Sequence, residues 1–299
     1  MGILSDPSFL LIQLLAGLSR GMSLFIVSAG LTLIYGVLKV LNFAHGSFLM
    51  LGAYMGFTLT QILGGDPNAF WIALIVAPIG VALLGGILEF TLLRRFYERE
   101  HVYQLLLTYA LVLIIASLAK LIWGGAYRVI ELPIIFSGQV QIWGRAFPTY
   151  YLFMLIMGAI VAIALWWIIQ RTRIGYIMRA SAGDSETAST LGVNVGIVFS
   201  FVFMLGSYLA GLGGVVTAVM SSVGPGMDMD YILISFIIVI VGGIGSIPGA
   251  LIGAILIGVT FAFGILVLPR LAEAFLFLFM IIVLIVRPLG IMGRKVERV

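Results

Sequence analysis

Nine stretches of this chain are long, apolar and almost free of charge, and that feature leaves few folds open. Within a few residues they cover 9–38, 46–63, 70–93, 103–123, 148–169, 196–220, 230–247, 249–268 and 271–287. A helix that crosses a bilayer needs roughly 20 apolar residues, because its backbone groups can bond only to one another there. The stretches therefore read as transmembrane helices. The first is too long for one ordinary span, so it is either one tilted helix or two short ones broken near Arg20-Gly21. The fold class is all-α, a polytopic bundle of about 8–10 spans: nine or ten by the windows, eight if one segment is only re-entrant. With 62% of residues hydrophobic and 9% charged, there are too few charges to cover a water-facing surface, which takes about a quarter. Residues 1–299 read as a single transmembrane domain with no linker or low-complexity tail.

Loop charges orient the bundle, since Lys and Arg gather on the cytoplasmic side. One set of alternate loops carries Lys39, then Arg94, Arg95 and Arg99, then Arg171, Arg173 and Arg179, then Arg287, Arg294, Lys295 and Arg298. The other set carries only Arg128, Arg145 and Arg270. The first set and the C-terminus are expected in the cytoplasm, with 124–147 the largest outer loop and 171–195 the largest inner one. The net charge of +4 resides mostly in these short loops, so no nucleic-acid partner is expected, and most of the surface faces membrane lipid. There is no cysteine, and the two histidines, His45 and His101, lie in different segments. That argues against disulfides, thiolate chemistry and a metal site. Met1–Pro7 hold no basic run ahead of the first apolar stretch, which is therefore expected to stay in the membrane.

In lipid, small residues let helix backbones approach closely. Gly206, Ala210, Gly214, Ala218 and Ser222 recur at steps of four, as do Ala250, Ala254, Gly258 and Ala262, with Gly249 and Gly253 alongside. Gly52 and Gly56 make a shorter pair. All read as helix-packing stripes. Two patches interrupt the apolar pattern: Asn42-Phe43-Ala44-His45-Gly46 and Gly242-Gly243-Ile244-Gly245-Ser246-Ile247-Pro248-Gly249. Each is either a helix break lining a translocation pathway or an ordinary cytoplasmic turn. On the first reading Asn42, His45, Gly46, Gly242, Gly243, Gly245 and Ser246 border the pathway. On the second, Asn42 and His45 cap a helix that starts near Gly46.

Ionisable groups in lipid are costly and often functional. Glu89, one turn from the inner end of its span, is expected to pair locally with Arg94 or Arg95. Lys120 is expected to snorkel to the outer surface. Glu273 is placed to cap the last span, and His101 to be solvated in a basic turn. Arg20 is less easily dismissed unless the first helix breaks there. In the inner loop, Asp184 is a good N-cap, Glu186 an acidic first-turn residue and Gly192 a stop, so a helix of about seven residues is expected between them. A helix that short is marginal alone. It must rest on the protein's own helix ends or on a partner.

Glu186-Thr187-Ala188 followed by Gly192 resembles the Glu-Ala-Ala-x-x-x-Gly loop through which ABC-importer permeases touch their ATPases, with Thr187 where that pattern has Ala. Gly30-Leu31-Thr32-Leu33-Ile34-Tyr35-Gly36 ahead of Asn42–Gly46, together with Gly242–Ala250, extends the likeness. Over nearly the whole chain, 10–290, it is similar to the branched-chain amino acid transport permeases, specifically their shorter, H-type member. The same family includes permeases for urea and short amides, which these motifs do not separate.

The resemblance implies an importer subunit of the bacterial inner membrane that translocates leucine, isoleucine and valine, or else a small neutral amide. It implies a second homologous permease, two cytoplasmic ATP-binding subunits and a periplasmic substrate-binding protein. Asp184, Ser185, Glu186, Thr187, Ala188, Leu191 and Gly192 would then form the ATPase-coupling loop. ATP and Mg would bind those partners. The only lysines, Lys39, Lys120 and Lys295, follow Leu38, Ala119 and Arg294, so there is no Gly-Lys-Ser/Thr phosphate loop. His-Glu-x-x-His is also missing from the sequence, and no catalysis is expected. The rivals from other classes are a stand-alone channel or secondary transporter, which has no need of the 184–192 loop, and a membrane enzyme.

Overall fold

The computed structural model describes residues 6–64, 66 and 68–293; Met1–Ser5, and with them the start of the Met1–Pro7 reading, and the cations Arg294, Lys295 and Arg298 lie outside them. The described chain is a helical bundle in the order α1 (Pro7–Leu38), α2 (His45–Ile62), α3 (Ala69–Thr91), α4 (His101–Trp123), a hairpin of β1 (Gln139–Ile142) and β2 (Arg145–Pro148), then α5 (Thr149–Arg171), α6 (Arg173–Gly183), α7 (Ser185–Thr190), α8 (Val195–Ala218), α9 (Met227–Gly242), α10 (Ile247–Val267) and α11 (Ala272–Val286). The hairpin turns at Trp143 and Gly144, both at positive φ (50° and 76°), the two-residue geometry whose twist suits antiparallel strands.

Helix α1 starts where Asp6 accepts the Ser8 amide at 2.9 Å, with Pro7 in the first turn. Arg145 of the hairpin pairs with Asp6 at 2.6 Å, the only ion pair among the described residues. Hydrogen bonds from the Ser8 hydroxyl and the Arg145 guanidinium hold the Asp6 carboxyl well below the usual carboxylate range. From there α1 runs unbroken for 32 residues, so the alternative of two short helices broken at Arg20-Gly21 is overturned. The glycine serves packing instead: a Cβ on Gly21 would lie 2.7 Å from the Ala254 carbonyl oxygen of α10.

Helix α1 is the central post, with 89% of its most apolar window buried against 11% for the last span. The small-residue stripes set the distances around it. Gly206 of α8 meets Gly30 and Ile34 of α1, Gly211 meets Gly52, which would put a Cβ 2.4 Å from the Gly211 carbonyl oxygen, and Gly214 meets Leu49 and Ala53 of α2. Ala210 and Ala218 are fully buried. Ser222 falls beyond the end of α8 and is exposed, so that stripe stops at Ala218. Gly249 and Gly253 seat α10 on Gly242 and Ile238 of α9, while Gly258 seats it on Gly17 and Gly21 of α1.

Seven helices are long and apolar enough to cross a membrane: α1, α3, α4, α5, α8, α10 and the last one, counted from Pro269. The remaining two windows hold α2 and α9, and these begin inside the bundle. The ring of His45, first residue of α2, lies by Gly30 and against the carbonyl oxygen of Val27, while Gly30 meets Gly206 near the middle of α8. The start of α9 meets the same place, with Asp228 against Gly46. Segment 39–44 therefore climbs back into the bundle from the end bearing Lys39, Arg94 and Arg173, the basic end. Segment 219–226 descends from the opposite end, held to the loop after α4 by reciprocal 2.8 Å backbone bonds between Arg128 and Val223. Against the 8–10 expected spans, seven helices among the described residues have the length and apolarity of a full span, and two more, α2 and α9, start inside the bundle.

Gly214→Val tests the packing account. A Cβ at Gly214 would sit 2.1 Å from the Leu49 carbonyl oxygen, and overpacking of this kind costs about 1–3 kcal/mol. The variant is expected to lose several degrees of thermal stability in detergent, whereas Gly183→Ala, with nothing within 4 Å of the added carbon, is not. Equal melting of the two would contradict the account.

Candidate functional site

Two regions draw the expected residues together. At the basic end, the 171–195 loop folds as two helices at an angle. Thr172 caps α6, its hydroxyl accepting the Gly175 amide at 3.1 Å. Asp184 caps α7, its Oδ1 accepting the amides of Glu186 and Thr187 at 3.0 Å each, while the Thr187 hydroxyl donates to Oδ2 at 2.5 Å. These bonds hold the Asp184 carboxyl below its ordinary range, the Thr187 hydroxyl contributing most. Gly192, at φ 86°, ends the turn, and the Val193 amide donates to the Ala188 carbonyl at 3.1 Å. Helix α7 is six residues long, close to the length expected from the sequence.

Only Ala188 of this helix is buried, at 3% exposure. Ser185, Glu186, Thr187, Ser189 and Thr190 are exposed, and Leu191 projects with 80% of its surface free. The residues expected in a coupling loop thus form one outward-facing tip resting on Ala188. Helix α6, which no apolar run announced, supports it; the usable signal was Thr172 as a cap before Arg173. Nearby, Glu89 is fully buried and accepts hydrogen bonds from the hydroxyls of Tyr97 (2.7 Å) and Ser200. The expected ion pair with Arg94 or Arg95 does not form. Arg94 lies over the Phe90 ring and against Gly196, so the carboxyl is left to the first turns of α8.

The second region is the crossing of the half-spans. His45 Nε2–H donates to the Val27 carbonyl at 2.9 Å, which fixes the tautomer and leaves Nδ1 without a partner. Asn42 is fully buried with neither side-chain atom bonded. The Ser47 hydroxyl donates to Asp228 at 3.4 Å. A cavity of about 210 Å³ opens beside the start of α9, lined by Met50, Tyr54, Leu113, Lys120, Pro225 and Gly226 among others. The Tyr54 hydroxyl is buried there without a bond. Buried polar groups left unpaired cost about 1–3 kcal/mol each, and their concentration here marks a place that carries more than packing. Asp228 and Tyr54 went unread in the sequence; Gly224-Pro225-Gly226, a turn signal just ahead of Asp228, was the available clue.

Gly242, Gly243, Gly245 and Ser246 lie at the far end of α9, away from Asn42, His45 and Gly46. They build a tight turn in which Ser246 caps α10 through the Gly249 amide (3.2 Å). Ile291 and Met292 donate to the last carbonyls of α9, Val241 and Gly242, at 2.8 and 3.0 Å. Gly36 and Gly245 touch there, so this patch is the joint between α9 and α10 at the basic end. Lys120 sits in the last turn of α4, exposed as expected; His101 opens α4 on the surface, and Glu273 lies in the first turn of α11 without making a cap.

Residues 13–284 match the family model described as branched-chain amino acid transport system / permease component. This chain belongs to that family. Among the family's curated proteins it is similar to the high-affinity branched-chain amino acid transport system permease protein LivH of Escherichia coli K12, 28% identical over 97% of this chain and 98% of LivH. BraD of Pseudomonas aeruginosa, bearing the same description, is 30% identical over 96% of this chain and 97% of its own length. Likeness to the ribose import permease RbsC of Escherichia coli covers 34% of each chain, at 34% identity. No solved structure matches.

The Asp184 cap has a direct readout. A carboxyl whose folded pKa is depressed stabilises its helix above the ordinary carboxylate range, and that contribution is lost as pH falls through the lowered value. Asp184→Ala is expected to speed hydrogen exchange at the Glu186 and Thr187 amides at neutral pH and leave α1 unaffected. Unchanged exchange at those two amides would contradict the cap.

Proposed function

We propose that this permease is the membrane-spanning subunit of an ATP-binding cassette importer for branched-chain amino acids in the bacterial inner membrane. Its basic end and C-terminus face the cytoplasm, and the hairpin end faces the periplasm. The observation that carries the coupling is α7: a capped helix with one buried residue, too short to persist unaided, that presents Glu186, Thr187 and Leu191 outward. Such a tip suits a docking surface for a cytoplasmic ATPase. The substrate class is supported by full-length likeness to LivH and BraD.

The mechanism follows from how α7 is attached. Closure of two partner ATPases on ATP pushes the tip, and α6 and α8 on either side of it take up the motion. Helix α8 cannot absorb it locally, because Glu89 ties its second turn to α3 and glycine contacts lock it to α1, α2 and α3. Close-packed interfaces of this kind shift between discrete arrangements. The displacement reaches the crossing of α2 and α9, where the pathway opens alternately to each side as in other transporters with interrupted helices. A second homologous permease completes the pathway, and a periplasmic binding protein delivers the substrate.

Affinity purification of the tagged chain in mild detergent tests this reading. Two P-loop ATPases and a second permease are expected to co-elute, and Glu186→Arg is expected to lose the ATPases while the permease pair remains. A homo-oligomer without ATPase, from cells that express the candidate partners, would favour a stand-alone transporter.

A further inference from the structure

Arg20 is a cation at the mid-depth of the bundle. Its neighbours in α1 fix its level: Gly17 meets Gly258 and Val259, Gly21 meets Ala254 and Ile255, and Met22 meets Gly158. These partners lie near the middles of α10 and α5. The side chain is half-buried, with its guanidinium 3.6 Å from the centre of the Phe261 ring. No carboxylate lies within ion-pair distance among the described residues. Tyr231, Tyr151 and Glu273 are the titratable side chains within electrostatic reach of it. Tyr231 Oη is 3.3 Å from the Ser221 hydroxyl.

An arginine held at this level against acyl chains costs at least about 2.5–3.5 kcal/mol. The aromatic face offsets about 0.5–2 kcal/mol, and it satisfies none of the five N–H donors. Its planar fork matches a carboxylate with two parallel bonds, so a visiting carboxylate would satisfy donors that the ring leaves free. We propose that Arg20 recognises the carboxylate of the transported solute, gripping it over Phe261 and beside the Tyr231 hydroxyl on the hairpin side of the α2–α9 crossing. The inference rests on the reading of the chain as an importer permease and narrows it. The substrate class is a small carboxylate-bearing solute such as an amino acid; urea and neutral amides lack the anion.

The chain has no cysteine, so Arg20→Cys in the assembled transporter carries a single thiol for this subunit. Uptake of radiolabelled leucine is expected to fall about tenfold or more, the loss of one charge-assisted pair, with the complex still recovered. A methanethiosulfonate reagent carrying an ethylammonium group should react from the periplasmic side, react more slowly with excess leucine, and restore uptake severalfold. The ethylsulfonate reagent, of similar size and opposite charge, should lower uptake further. Uptake by Arg20→Cys within about twofold of wild type, identical effects of both reagents, or no labelling in the assembled complex would overturn the proposal. So would wild-type uptake of urea without leucine. If the cysteine variant fails to assemble, Arg20→Lys must exceed Arg20→Gln severalfold in leucine uptake, and equality of the two overturns it. Absence of ATPase partners from the purified wild-type complex would instead sink the importer reading, leaving the labelling result to be judged separately.

Discussion

The structure turns on a backbone contact: the start of α2 against the start of α9, in the middle of the bundle. A Cβ on Gly46 would stand 2.2 Å from the Asp228 carbonyl oxygen, so the two helix ends can meet only because that carbon is missing. Each end is reached by non-helical chain, 39–44 from the basic end and 219–226 from the hairpin end. Non-helical backbone at that depth survives only inside protein or beside water, and here both conditions hold. Val40, Asn42 and Ala44 of the first segment are buried in protein, and Pro225 and Gly226 of the second border a cavity of about 210 Å³. Helix N-termini carry partial positive charge, and Asp228 sits in the first turn of α9, close to both ends.

Everything around the crossing serves to hold it. Lipid supplies no hydrophobic force between helices, so association depends on van der Waals contact and on polar groups that find partners. Helix α1 gives Gly17, Gly21 and Gly30 to α10 and α8, and α8 gives Gly206, Gly211 and Gly214 to α1, α2 and α3. Such contacts leave little slack, which makes the bundle a rigid transmitter. Motion at the α7 tip has no soft element to dissipate in before it meets the crossing.

The helical class and the positions of all nine apolar windows were legible because apolar run length alone decides them. Depth was not. Windows 46–63 and 230–247 look like spans by composition, yet nothing in a hydropathy run tells where along the membrane normal a helix begins. Asn42–Gly46 stood out as a polar interruption, whereas Gly224-Pro225-Gly226 did not, although it does the same job for α9. Glu89 was misread because its neighbours Arg94 and Arg95 suggested an ion pair, while its actual partners are two hydroxyls, Tyr97 eight residues on and Ser200 111 residues away. Gly21 looked like a breaker since its use, closeness to Ala254, is tertiary. The α7 cap was readable because Asp184, Glu186 and Gly192 act within one turn of each other. Helix α6 and the β1–β2 hairpin, both polar and amphipathic, left no apolar signature.

The crossing itself can be measured in a chain that has no native cysteine. Ser47 and Asp228 face each other at 3.4 Å, so cysteines placed at both positions should be joined by mild oxidation. Cleavage in the exposed 171–195 loop would then leave two fragments that migrate together until reduced. That result would place the starts of α2 and α9 side by side in the membrane. Thiols that stay free and alkylate fully under the same oxidation, in protein that still elutes as a folded complex, would contradict the crossing and the pathway built on it.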